Sequence, residues 1–275
     1  MTVNNNQFAA AIAAVRDDSC RQFLSVPSGM GKSRIIAAVI VLQNLCRSIT
    51  CFTVVFTTKL LKQASQAYYE KIAAVLGLTL KLMVYDPNFS LDGIVLPGHY
   101  AIVDEADAIL LDHAETLTNP RVLALSATPF SNHVAEREHI ENVLGFTVID
   151  SKMEGSISFE SEKTATARAS VERFFAASKG YAKIIYNTGA SHPEIMRRAT
   201  HTNPTDLAFL KQLTPDHVIL LTDPTLARGI DFRAHERTRG IALFVMSACH
   251  SSRAYLQLLG RVGRYREPCE RFVWD

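Results

Sequence analysis

With 275 residues, 48% hydrophobic and 20% charged, the chain has apolar material for one large globular domain or two of ordinary size. A net charge of +2 speaks against the strongly basic surface that announces nucleic acid, and leaves a local basic groove open. Five cysteines without a CxxC pair argue against zinc and against a disulfide framework and fit a reducing, intracellular and cytoplasmic setting; the longest apolar run, residues 35–42, is too short to cross a bilayer, so no stable membrane insertion is expected.

Phe8, Ala9, Ile12, Ala13 and Val15 recur at helical spacing and predict a helix over 5–15. An apolar run, Phe23-Leu24-Ser25-Val26, leads through Pro27-Ser28-Gly29-Met30-Gly31-Lys32-Ser33 into a helix from about 34 to 45. Strand, glycine-bearing turn and helix in that order form the setting of a phosphate-binding loop. Gly29 and Gly31 let consecutive N–H groups point inward, Lys32 can reach terminal phosphates, and the Ser33 hydroxyl can ligate magnesium. Val26 stands where the usual signature has its first glycine.

A buried parallel strand is predicted over 51–56, ending in Thr57-Thr58-Lys59, and a helix follows to about 75. A second strand covers 78–84. Next, Tyr100-Ala101-Ile102-Val103-Asp104-Glu105-Ala106-Asp107 sets an acidic pair at the end of an apolar strand, the edge where a doubly wound sheet collects ligands. Asp104 would hold magnesium through water and Glu105 would orient or deprotonate an attacking water. An acidic helix start would carry the same letters, but the upstream loop favours the chemical reading. Residues 122–125 read as a further strand closed by Ser126-Ala127-Thr128-Pro129, whose hydroxyls can relay hydrogen bonds or cap a turn. A helix over 134–144 and a strand over 146–149 complete this half.

The Ser-, Thr-, Glu- and Lys-rich stretch 151–168 reads as a linker between domains at 1–150 and 169–275. Beyond it, helices are predicted over 170–178, 194–200, 206–213 and 253–259, and strands over 183–186, 217–221, 241–246 and 272–274. The alternation predicts an α/β fold with two mostly parallel sheets covered by helices. Arg261 and Arg264, set off by Gly260 and Gly263 at a helix end, invite a phosphate.

In order along the chain, these stretches resemble the motor core of superfamily 2 helicases. Residues 28–33 look like motif I, 57–63 like motif Ia, and Asp104-Glu-Ala-Asp107 spells the DEAD form of motif II. Ser126-Ala-Thr128 is similar to motif III, Ile185-Tyr-Asn-Thr188 to motif IV, residues 222–231 to motif V and 257–264 to motif VI. The resemblance implies two RecA-like P-loop domains, with ATP and magnesium as cofactors. It implies that Gln7 reads adenine and that Ser28, Gly29, Met30, Gly31, Lys32, Ser33, Gly229 and Asp231 hold nucleotide. Magnesium would fall to Ser33 and Asp104, and catalysis to Lys32, Asp104, Glu105, Gln257, Arg261 and Arg264. Thr57, Lys59, Asn187 and Thr222 would face a single strand of RNA or DNA, with RNA slightly favoured, and Ser126, Thr128 and Arg228 would couple the two functions. Gln257 stands where a true DEAD-box protein has histidine, and Thr222 to Arg228 is one residue longer than its motif V.

Residues 99–112, 75–78 and 257–272 also resemble the SecA-type translocation ATPase, which would make polypeptide the substrate. About thirteen residues separate Asp112 from Ser126, where that family inserts a clamp. A bare NTPase module is the remaining alternative, and further domains or chains stay open.

Overall fold

The computed structural model describes residues 5–16, 21–26, 31–126, 133–150, 166–227, 232–249, 252–263 and 268–274. The chain divides into two units, Met1–Ser156 and Ile157–Asp275, each with one six-stranded parallel sheet and flanking helices.

The first unit carries β1 (Arg21–Ser25), β2 (Cys51–Phe56), β3 (Thr79–Val84), β4 (Tyr100–Asp104), β5 (Val122–Ser126) and β6 (Thr147–Asp150). Their spatial order is β3-β2-β4-β5-β1-β6, and every pairing is parallel. Parallel strands need long crossovers, which here include helices α2 (Lys32–Arg47) and α3 (Lys59–Leu76); α1 (Asn5–Arg16) precedes the sheet. Leu24, Val54 and Leu125 point to one face and pack with Ala11 of α1, Ile36 of α2 and Tyr69 of α3. Phe23, Val55 and Ala124 point to the other and pack with Ile109, Leu110 and Ile140. Each such large side chain contributes about 1.5–3 kcal/mol on leaving water. These two layers, rather than the half-exposed edge strand β3, therefore fix the sheet.

The second unit carries β7 (Thr166–Ala169), β8 (Ala182–Tyr186), β9 (His201–Thr202), β10 (Val218–Leu221), β11 (Ile241–Val245) and β12 (Cys269–Trp274) in the order β7-β12-β11-β8-β10-β9, again all parallel. Phe174 stacks on Phe244 and meets Phe272 edge-on inside its core.

Several elements differ from expectation, three of them instructively. Residues 166–168, read as the end of the linker, belong to β7, because Ala169 is buried and the segment pairs in register with β12. The helix expected over 206–213 is only the 3-10 turn Phe209–Lys211. Asp206 Oδ1 accepts the N–H groups of Ala208 and Phe209, and Leu213 bridges Ala234, so the backbone has partners that compete with a helix. The helix expected over 134–144 is α-helical over His133–Glu138 and continues as a π-turn over His139–Val143.

Candidate active site

In the first unit, Lys32 and Ser33 open α2, and Gly31 caps it with φ +79°. The positive φ favours glycine at position 31, and a Cβ there would lie 2.5 Å from Gln7 Nε2, so that carboxamide would have to swing aside. Gln7, expected to read adenine, is only 3% exposed and sits on the end of the loop itself. Ser28, Gly29 and Met30 lie outside the described residues.

Sheet order brings the carboxylates to this loop. β5 lies between β1 and β4, and Val26 N donates to Ser126 O at 2.8 Å. The carboxyl ends of three neighbouring strands thus present Val26, Ser126 and Asp104 along one edge. Just past β4, Glu105 has φ +54°, a conformation that costs an ordinary L-residue about 1–2 kcal/mol. Its carboxylate lies 2.8 Å from Lys32 Nζ, the glutamate side chain 2% exposed and the lysine 13%. Asp104 Oδ1 accepts the Glu105 N–H at 3.0 Å, and the fully buried Asp107 accepts the Ser126 hydroxyl at 2.6 Å.

Ser33 is tied to α3. Its hydroxyl lies 3.3 Å from that of Ser65, and its carbonyl accepts the Tyr69 hydroxyl at 3.2 Å. Burial, and after it the charge of Asp104, push the Tyr69 pKa far up, against the hydrogen bonds to Ser33 and Ser65. One phenol thus touches Ser33 and feels Asp104. A hydroxyl at the start of α2 and a carboxylate at the end of β4 are hard oxygen donors of the kind magnesium takes, alongside several water and phosphate ligands of its own. Ser65, Tyr69 and Asp107 were not among the expected site residues. Their signals are faint: Ser65 and Tyr69 stand four apart on one helical face, and Asp107 is the last letter of the acidic motif.

Of the expected polymer-facing residues, Lys59 is exposed, and Thr57 Oγ1 is buried without a partner among the described residues. In the second unit, Asn187 follows β8 and Thr222 follows the neighbouring β10. Asn187 is 7% exposed; its Oδ1 accepts Gly189 N and the Ser247 hydroxyl, and its Nδ2 donates to Ala190 O. Thr222 is exposed and held by Asn203. Gln257 lies on the helix Ser252–Leu259 and Arg261 just beyond it, both buried. Thr128, Arg228, Gly229, Asp231 and Arg264 lie outside the described residues.

No family model matches the sequence, and no curated protein does. Among solved structures the chain is similar to S. cerevisiae Dbp5 L327V bound to RNA and ADP BeF3, with TM-score 0.63, 12% identity, and coverage of 98% of this chain and 82% of that one. It is similar to the DEAD-box helicase Mss116 bound to ssRNA and UDP-BeF, with TM-score 0.63, 13% identity and coverage of 98% and 69%. It is also similar to Mycobacterium smegmatis helicase Lhr bound to ssDNA and AMP-PNP, with TM-score 0.58, 14% identity and coverage of 98% and 45%. The fold is the one these helicase structures share, two RecA-like α/β units.

Proposed function

We propose that this chain is an ATP hydrolase of the superfamily 2 helicase type, using magnesium and ATP to move along or remodel single-stranded nucleic acid, RNA ahead of DNA. The observation that carries the reading is the Lys32–Glu105 ion pair at 2.8 Å, built on a strained backbone between a glycine-capped helix start and the end of β4. An ammonium that meets phosphate and a carboxylate that meets water are the two charges γ-phosphate hydrolysis requires. The nucleotides and single strands held by the structural neighbours support the same reading.

In this mechanism the N–H groups that open α2 bind phosphate and Lys32 neutralises it. Ser33 and Asp104 would hold magnesium, which when bound would supply further charge neutralisation. Lys32 turns from Glu105 toward the phosphate, and the freed carboxylate accepts the proton of the water attacking the γ-phosphorus as its bond to the β–γ bridging oxygen breaks and the nucleoside diphosphate leaves. Arg261 and Arg264 act as fingers on the transferring group. Thr57, Lys59 and Thr222 grip the polymer, and Asn187 holds the turn that follows β8. Grips of this kind read backbone, so sequence preference is low.

The test is ATP turnover measured with oligouridine, with single-stranded DNA and with an unfolded polypeptide. Stimulation by either nucleic acid, lost in Lys32→Ala, is the expected result. Turnover preserved in Lys32→Ala refutes the site, and stimulation by polypeptide alone refutes the substrate class.

A further inference from the structure

We propose that Asn203 is a positioning residue that turns the Thr222 hydroxyl hydrogen outward, toward a backbone phosphate of the bound strand. The inference rests on the reading of Thr222 as a polymer contact. Asn203 follows the two-residue edge strand β9 and adopts φ +48°, a left-handed conformation that asparagine tolerates better than most residues. Its carboxamide grips Thr222 at two points. Oδ1 accepts Thr222 N at 2.8 Å and Asp223 N at 3.4 Å, and Nδ2 donates to Thr222 Oγ1 at 2.7 Å.

These contacts settle the orientation of the amide. A backbone N–H can only donate, so the atom facing Thr222 N and Asp223 N is the oxygen, and the nitrogen faces the hydroxyl. That nitrogen also only donates. Thr222 Oγ1 is therefore an acceptor within the protein, and its own hydrogen is left to donate elsewhere. Thr222 is exposed, so the direction left to that hydrogen includes solvent.

On the other side of β8, the Ser247 hydroxyl is used the opposite way. It donates inward to Asn187 Oδ1 at 2.7 Å and accepts Gly189 N at 3.0 Å. Of these two hydroxyls at the carboxyl edge of the second sheet, Thr222 is thus the one set to donate to an anion. A phosphate oxygen accepts only, which is the complement of this arrangement.

The substitution Asn203→Asp separates positioning from scaffolding. Aspartate keeps the acceptor for the two backbone N–H groups but makes the Thr222 hydroxyl donate inward, so its hydrogen is lost to the ligand. Binding of fluorescein-labelled oligouridine, with a non-hydrolysable ATP analogue present, is measured by anisotropy for the whole chain, for Thr222→Val, for Asn203→Asp and for the double variant. Each single variant is expected to bind about three- to tenfold more weakly, the loss of one hydrogen bond. The double variant should be no weaker than Thr222→Val. That last arm removes the charge explanation, because repulsion by an added carboxylate would persist without the hydroxyl. Asn203→Asp binding like the parent, or losses that multiply in the double variant, overturns the proposal. A parent protein that binds neither oligouridine nor single-stranded DNA overturns the polymer reading beneath it, and Thr222→Val binding like the parent removes Thr222 from that reading.

Discussion

Replacing Lys32 with methionine removes the ammonium 2.8 Å from Glu105 while keeping most of the stem volume. Loss of one partner from a fully buried pair costs about 3–5 kcal/mol, because a charge is left without compensation. Lys32 keeps 13% of its side-chain surface, so water can reach the vacated position, and the expectation falls to about 2–3 kcal/mol. Glu105→Gln should cost about 1 kcal/mol, since the remaining lysine can turn toward solvent. The double variant should then be less destabilised than the two losses summed, with a coupling of about 1–2 kcal/mol. Urea unfolding separates this local effect from a global one. The chain has one tryptophan, Trp274 in β12, so its fluorescence follows the second unit, while far-UV circular dichroism follows both. The shift should fall in the dichroism transition of the first unit and leave the tryptophan transition in place. Additive losses, or a Lys32→Met protein within about 0.5 kcal/mol of the parent, would refute the view that this pair neutralises a buried carboxylate.

Ser126→Ala removes the donor to the buried Asp107 carboxylate and should cost about 1.5–3 kcal/mol in the dichroism-detected transition. Gly240→Ala should cost about 2–4 kcal/mol, read by Trp274 fluorescence, because φ is +143° and a Cβ there would collide with the Pro268 carbonyl. His217 is held below the ordinary histidine value, chiefly by burial and then by His201, while its Nδ1 accepts Thr214 N at 2.9 Å. The unfolded chain therefore takes up this proton at higher pH than the folded one. The contribution is complete above about pH 6.5 and is lost as pH falls below that toward the folded value. Acid should accordingly weaken the second unit less in His217→Asn than in the parent, measured by urea midpoints on either side of that window.

Strands sealed on both faces were legible in the sequence because burial forces an unbroken apolar run: 51–56, 122–126 and 241–245 differ from expectation by a residue at most. β9 was not, since two exposed residues at a sheet edge carry no pattern. Residues 206–213 misled because Leu207, Leu210 and Leu213 repeat at near-helical spacing, whereas Asp206 and Ala234 take the backbone groups. Lys32, Asp104 and Glu105 could be read from their place at the ends of elements, where carboxylate and ammonium types speak for themselves. Ser65 and Tyr69 could not. A serine and a tyrosine on an amphipathic helix have no chemistry until α3 is laid against α2. The left-handed backbone of Glu105 was equally hidden, because it is imposed by the turn and not by the residue type.

The all-parallel sheets also bear on how the protein is made. β1, which feeds the phosphate loop, is flanked by β5 and β6, the last strands of its unit to be synthesised. In the second unit β7 is an edge strand whose only neighbour among the described residues is β12, near the far end of the chain. Neither opening strand can gain a sheet partner until nearly its whole unit has left the ribosome. Such distant pairings fold slowly, because loop closure precedes the contacts that reward it. During synthesis the loop strand therefore waits with its Phe-Leu pair uncovered, and nascent chains halted before residue 122 should depend on chaperones more than those halted past 150.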